Sequence, residues 1–306
     1  MTLNNLKQSL IDGSYHKSVL LKEALDLLQV KKGEKYIDAT LGGGGHAKKI
    51  LEMGGKVLGI DRDLEAIKFV QANLKDQNLI LFQGNFRDLR RIAQERGFEK
   101  VLGIIYDLGV SSHQINEVGR GFSFQTEGPL DMRMDRNSGF TASDLANLAT
   151  KEELVKIFTE YGEEPRSKSI AEGIVKRRQK KAIKTTQDLV EVIKEAYGIY
   201  GEITNKKRAD LSKRVFQAFR IAVNSEIENL KNSLPEALEL LEDGGRIVAI
   251  SFHSLEDRAI KKSFKEFEKK GKGIVLTKRP VVPGITQISE NPRARSAKLR
   301  CFEKRI

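Results

Sequence analysis

The sequence predicts an α/β fold, a Rossmann-like sheet with helices on both faces, interrupted by an inserted helical domain. Three observations carry this. Short apolar runs alternate with helical segments as far as Asp107; the first run ends in an acid followed by four glycines; and the alternation stops near Ser111 and resumes after Gly244-Gly245. Strands separated by helices argue for parallel pairing with crossover connections.

Taken in order, strands are expected near 35–40, 56–61, 79–84 and 101–107, with helices over 45–53, 63–74 and 88–96. From Ser111 to Thr141 the chain is rich in Gly, Ser, Asp and Arg and shows little periodicity. Ser143 to Tyr200 reads as helical, and Leu211 to Leu230 as one long helix whose apolar stripe (Phe216, Phe219, Val223, Ile227, Leu230) belongs to the core. A helix over Pro235–Leu241 then stops at Gly244-Gly245. A strand over 246–252, a helix over 255–270 and strands near 273–279 and 296–304 complete the pattern. The expected partition is a sheet domain over 1–112 and 214–306 and a mainly helical insertion over 113–213.

The glycine turn points to an adenosine cofactor. Tyr36-Ile37-Asp38 leads into Gly42-Gly43-Gly44-Gly45 and His46, and the second run, Lys56 to Ile60, ends in Asp61. Such glycines let the backbone approach a ligand, and the second-strand acid can accept ribose hydroxyls. The loose spacing Gly42-x-Gly44-x-x-Ala47 also admits a nicotinamide dinucleotide, and a bare turn remains the plain alternative. Asp38 favours S-adenosylmethionine: a carboxylate beside the loop repels a pyrophosphate but attracts an ammonium and a sulfonium.

Ligands of open α/β sheets bind outside the carboxyl ends of the strands. At that edge the sequence places Asp38, His46, Asp61, Phe86, Asp107, His113, Gln114 and His253. Phe86 is placed to lie against an adenine. Asp107 is the leading candidate for the reaction centre, since a buried acid there needs a partner such as a base amine or the cofactor.

The chain has 306 residues, 39% of them hydrophobic, and a net charge of +12. Such a surplus suggests a polyanionic partner, most simply nucleic acid. Basic residues crowd three places: around Arg177 and Arg178, around Lys206 to Arg220, and around Arg293 and Arg295. With no tryptophan, base stacking falls to Phe, Tyr or Arg. The single cysteine, Cys301, excludes an intramolecular disulfide framework and fits a reducing cytoplasm. The four histidines have no zinc-like spacing, so no metal site is expected. No apolar run reaches membrane-spanning length, and Met1 to Gly13 lacks a signal-peptide core.

Several segments together resemble the RsmH/MraW family of bacterial 16S rRNA cytosine-N(4)-methyltransferases. They are His16 to Glu23, Asp38 to His46, Asp107 to Gln114, Arg120-Gly121-Phe122-Ser123-Phe124 with Gly128 to Asp135, Ser251 to Arg258, and Asn291 to Arg300. The resemblance implies a class I methyltransferase fold, S-adenosylmethionine as donor, and as acceptor the exocyclic amine of a cytidine in the decoding region of small-subunit rRNA. It implies cofactor contacts at Gly44, Gly45, His46, Asp61, Phe86, Asp107 and Gln114, beside Asp38 and Gly42. Departures from the family pattern are Ser18 for a proline, Ala39 for a glycine, Ala47 for a serine, and Asp210-Leu211 for a His-Pro pair.

On this basis Asp107 accepts from the amine, and His113 or His253 relays the proton. Arg120, Phe122, Phe124 and Arg133 wall a pocket for a base taken out of its stack, while Arg177, Arg178, Arg293 and Arg295 grip phosphates. The expected partner is 16S rRNA in the 30S subunit or a late precursor, with a homodimer compatible. Competing readings are a nicotinamide-dependent oxidoreductase, a non-catalytic RNA-binding assembly factor, and a DNA amino-methyltransferase.

Overall fold

The computed structural model describes residues 18–305, so His16 and Lys17 of the first resembling segment lie outside it. Two compact units emerge. One is built from the residues up to Ser111 and from Ile227 onward, the other from Ser112–Glu226.

The first unit holds a seven-stranded sheet of order β3-β2-β1-β4-β5-β7-β6. Its strands are β1 (Lys35–Asp38), β2 (Lys56–Asp61), β3 (Leu79–Gln83), β4 (Val101–Asp107), β5 (Leu241–Ser251), β6 (Gly273–Val275) and β7 (Lys298–Lys304). The β3-β2-β1-β4-β5 pairs are parallel, and β7 runs antiparallel to both neighbours. Central strands buried on both faces need continuous apolar runs, and Ile104, Ile105 and Tyr106 of β4 and Ile247 to Ile250 of β5 are fully buried. Two apolar clusters cover the faces. One joins Leu89, Ile92, Leu230, Leu234, Ile260 and Phe264 to the sheet; the other joins Leu20, Leu28, Ile50, Val70 and Leu299.

Connections on this unit include α1 (Leu21–Leu28), α2 (Gly45–Glu52), α3 (Leu64–Asn73) and α4 (Leu89–Glu95). The second unit contains α5 (Ser112–Asn116), α6 (Ala142–Leu148), α7 (Lys151–Glu160), α8 (Ser167–Lys180), α9 (Thr186–Ala196) and α10 (Asn205–Asn224). α11 (Glu226–Leu240), α12 (Ser254–Lys269) and α13 (Ile285–Glu290) complete the described helices. Thr141, Thr150 and Thr185 each form a reciprocal capping box, which fixes where α6, α7 and α9 begin.

The expected single helix over Leu211–Leu230 is two helices. Ser225 takes a left-handed conformation (φ 50°) and ends α10, its amide donating back to the Ala222 and Ile221 carbonyls. The unit boundary accordingly falls at Glu226/Ile227 rather than at 213/214. Strand β5 starts five residues earlier than its expected position at Arg246: Val101 pairs with Leu241 and Gly103 with Arg246, and the intervening register shift contains Gly244 at φ 73°. Among the described residues no helix is long and apolar enough to cross a membrane.

Candidate active site

Three carboxylates meet at the carboxyl edge of β1, β2 and β4. Asp38 ends β1 and is 1% exposed. Its Oδ1 accepts from the Thr40 amide at 3.3 Å, while its Oδ2 has no hydrogen-bond partner among the described residues. Burial pushes its carboxyl up to about 7; the neighbouring Asp107 and Asp61 charges add to the rise, and the Thr40 and Ala47 amides oppose it. Asp61 ends β2 and accepts from the Gly42 amide and the Asp63 amide, each at 2.8 Å. Burial raises its carboxyl too, against those two amides. Asp107 ends β4. Its amide donates to Thr40 Oγ1 at 2.6 Å, and its Oδ2 lies 3.7 Å from Nδ1 of the buried His46.

The glycine run sets this geometry. Gly42 (φ 50°) and Gly44 (φ 76°) occupy the left-handed region, so the chain can reverse between β1 and α2. At Gly45 the constraint is space rather than backbone: a Cβ there would collide with Ser18 Oγ. Ser18, the residue standing for the family's proline, thus packs directly against the loop.

Phe86 follows β3 and is buried. Its ring meets Tyr106 edge-on at 5.6 Å between centroids, and the Arg62 guanidinium stands 5.7 Å from it. His253 is the N-cap of α12. Its Nδ1 accepts from the Glu256 amide at 3.4 Å and its Nε2 lies 3.2 Å from Glu256 Oε1, while that carboxylate accepts from the Phe252 and His253 amides. One ring nitrogen thus faces the Glu256 amide and the other the Glu256 carboxylate, so His253, expected as a proton relay, serves in this structure as the cap of α12. Arg293 and Arg295, beside α13, are exposed.

In the second unit His113 and Gln114 lie on α5, where His113 Nε2 is 3.6 Å from Glu117 Oε2 and Gln114 is buried. The Arg120–Asp135 segment is a self-packed device. Arg120, 1% exposed, donates from Nη2 to the carbonyls of Arg133 and Met134, and its own carbonyl accepts from the Met132 amide at 2.9 Å. Arg120, expected at a phosphate or base, is enclosed by these carbonyls in this structure. Gly121 (φ 69°) fits where a Cβ would strike the Pro129 carbonyl oxygen. Met132 is left-handed at φ 60° and fully buried. Asn224 holds that turn, accepting from the Met134 amide (2.8 Å) and donating to the Met132 carbonyl (2.7 Å).

Arg133 forks onto Asp131 through Nε and Nη2, both 2.8 Å. Of the two rings expected to stack on a base, Phe122 is buried and Phe124 is half-buried, edge-on to Phe216 at 5.6 Å. Arg177 pairs loosely with Glu195 at 3.7 Å. Arg178 instead donates to the carbonyls of Ala146 and Ala149 at 3.0 and 2.7 Å, which ties down the end of α6. Asp210, from the replaced His-Pro pair, is exposed beside Lys213, and Leu211 is buried.

Thr40 and Asn224 were not singled out by sequence reasoning. Thr40 carried a signal in its place between Asp38 and the glycines. Asn224 gave none, because its partners lie about ninety residues away in sequence.

A five-strand parallel run extended by an antiparallel β7, with three acids and a glycine turn at one edge, defines a class I S-adenosylmethionine-dependent methyltransferase. The residues fit that cofactor: Asp38 Oδ2, without a hydrogen-bond partner among the described residues, suits a cation, and the left-handed Gly42 and Gly44 let the loop backbone approach a ligand. Residues 13–305 match the MraW methylase family, and the chain belongs to it. It is 45% identical to the ribosomal RNA small subunit methyltransferase H of Halothermothrix orenii, over 94% of this chain and 98% of that one. The namesake proteins of Thermomicrobium roseum and Clostridium botulinum are 44% and 43% identical over 94% of this chain, covering 93% and 98% of theirs.

Proposed function

We propose that this protein methylates the exocyclic N(4) amine of a cytidine in the decoding region of 16S rRNA, acting in the cytoplasm on the 30S subunit or a late precursor. The observation that carries the reading is the end-to-end similarity to proteins named for methylating small-subunit rRNA, joined to an edge of three carboxylates.

S-adenosylmethionine, when bound, supplies a methyl group activated as a sulfonium. The chain's task is then alignment, which contributes as much as roughly 7–11 kcal/mol in well-oriented systems. Asp38 and the Gly42–Gly45 turn hold the cationic end, and Asp61 accepts the ribose hydroxyls. Asp107 accepts from the acceptor amine, localising a lone pair otherwise delocalised into the ring and offsetting the positive charge that develops on nitrogen. His46, 3.7 Å from Asp107, orients that carboxylate. Phosphate contacts fall mainly to exposed lysines of the second unit, Lys168, Lys176, Lys180, Lys181 and Lys184, since Arg120 and Arg178 are held internally.

Mass mapping of modified nucleosides in 30S rRNA, from cells with and without the protein, tests the reading. Loss of one N(4)-methylated cytidine is expected. An unchanged map overturns the activity, and RNA binding without methyl incorporation would instead favour an assembly factor.

A further inference from the structure

The cofactor edge contains one acid whose circumstances differ from the rest. Asp61 accepts two amide hydrogen bonds, one on each oxygen. Asp38 is more deeply buried; its Oδ1 accepts a long bond from Thr40, the Ala47 amide also acts on the carboxyl, and no partner within hydrogen-bond distance of Oδ2 is found among the described residues. The charged and titratable groups facing it are Asp61 from the end of β2, Asp107 from the end of β4, and His46 at the start of α2, whose Nδ1 sits beside Asp107. Three carboxylates in this space cannot all ionise cheaply without a cation. We propose that Asp38 is the charge-selecting residue of the cofactor site: it carries a proton when the site holds no cation and gives that proton up when a positively charged adenosyl ligand binds.

The inference rests on the S-adenosylmethionine reading above and extends it to how the pocket distinguishes ligands. A neutral carboxyl at Oδ2 needs no counter-charge, and burial holds it in that form to about pH 7. A cation placed there stabilises the ionised form, so binding and deprotonation are linked. The cationic ligand then binds about tenfold more weakly for each pH unit below 7, whereas an uncharged adenosyl thioether lacks this dependence. Discrimination between them is therefore set by pH through one side chain.

Isothermal titration calorimetry in buffers of different ionisation enthalpy reads the proton directly. S-adenosylmethionine is compared with 5′-methylthioadenosine, which keeps the adenosyl thioether and lacks both positive charges. Release approaching one proton per S-adenosylmethionine is expected at pH 6, shrinking toward none above pH 8, with none for methylthioadenosine at any pH. Asp38→Asn should abolish the release. As a check that needs no variant, the infrared band of a protonated carboxyl should be present in the ligand-free protein at pH 6 and disappear when S-adenosylmethionine is added. Tight binding with no proton release, or the same release from Asp38→Asn, overturns the assignment while leaving the cofactor reading intact. No binding of S-adenosylmethionine at any pH overturns both.

Discussion

Replacing Asp38 with asparagine should make the ligand-free protein more stable, and increasingly so as pH rises. A carboxyl raised from 3.8 to about 7 by burial destabilises the folded state once the unfolded chain ionises. The sign follows from the direction of the shift. Below pH 4 both states hold the proton and the penalty is absent; it grows between 4 and 7 and is complete above 7. At about 1.4 kcal/mol per pH unit, the full penalty is about 4 kcal/mol. Asparagine is nearly isosteric and never ionises, so it resembles the protonated acid throughout. The raised Asp61 is present in both proteins and largely cancels in the difference. The assay is native-state hydrogen exchange of the Ala39 amide, which donates to the Ile105 carbonyl across β1 and β4 at 2.9 Å. This reads the first unit alone, whatever the second unit does. Between pH 5 and 7 the advantage of the variant should widen by about 3 kcal/mol and then level off. A difference that stays flat over that interval would refute the reasoning, because Asp38 would then be ionised at no penalty.

Three further outcomes are expected. Asp107→Ala should lower methyl transfer by about 10²–10⁴-fold with unchanged far-ultraviolet circular dichroism, and near-normal turnover would remove Asp107 from the chemistry. Gly121→Ala, which forces a Cβ against the Pro129 carbonyl oxygen at φ 69°, should destabilise the second unit by about 2 kcal/mol or more in urea unfolding. Arg120→Met should lower the stability of the same unit by about 3 kcal/mol by leaving two enclosed carbonyls without their donor; the slope of log RNA affinity against log salt should not change, whereas a slope reduced by about one would return Arg120 to phosphate binding.

What could be read from sequence follows the range of the forces involved. Strands β1 to β4 and the helices between them are specified by local apolar runs and by glycines and acids at their ends. The edge residues Asp38, Asp61 and Asp107 were legible because strand ends converge in any parallel sheet. The break at Ser225 was not, because the apolar stripe of Phe216 to Leu230 runs across it without a missed beat. α10 ends in a left-handed Ser225, and beside it Asn224 bonds the backbone of Met132 and Met134, a non-local contact with no periodic trace. The capping role of His253 was not legible either, because its position at a strand end says nothing of the box it closes with Glu256.

The basic surplus teaches the same lesson about charge. Counting arginines and lysines together raises the expectation of a nucleic-acid partner but does not identify the residues that would touch it. In the second unit Arg120, Arg133, Arg178 and Arg208 all donate to backbone carbonyls of their own unit. A planar fork with five donors is suited to satisfying several carbonyls at once, and its weak hydration lowers the penalty of enclosing it. Lysine offers one strongly hydrated ammonium on a flexible stem, and the lysines of the same unit are nearly all exposed, Lys194 being the buried exception. These four arginines are spent on internal carbonyls, while the lysines charge the surface. The most specific-looking motif, Arg120 to Asp135, is packed on itself: its glycine, its left-handed methionine and its enclosed arginine each answer a steric or hydrogen-bonding demand within the unit.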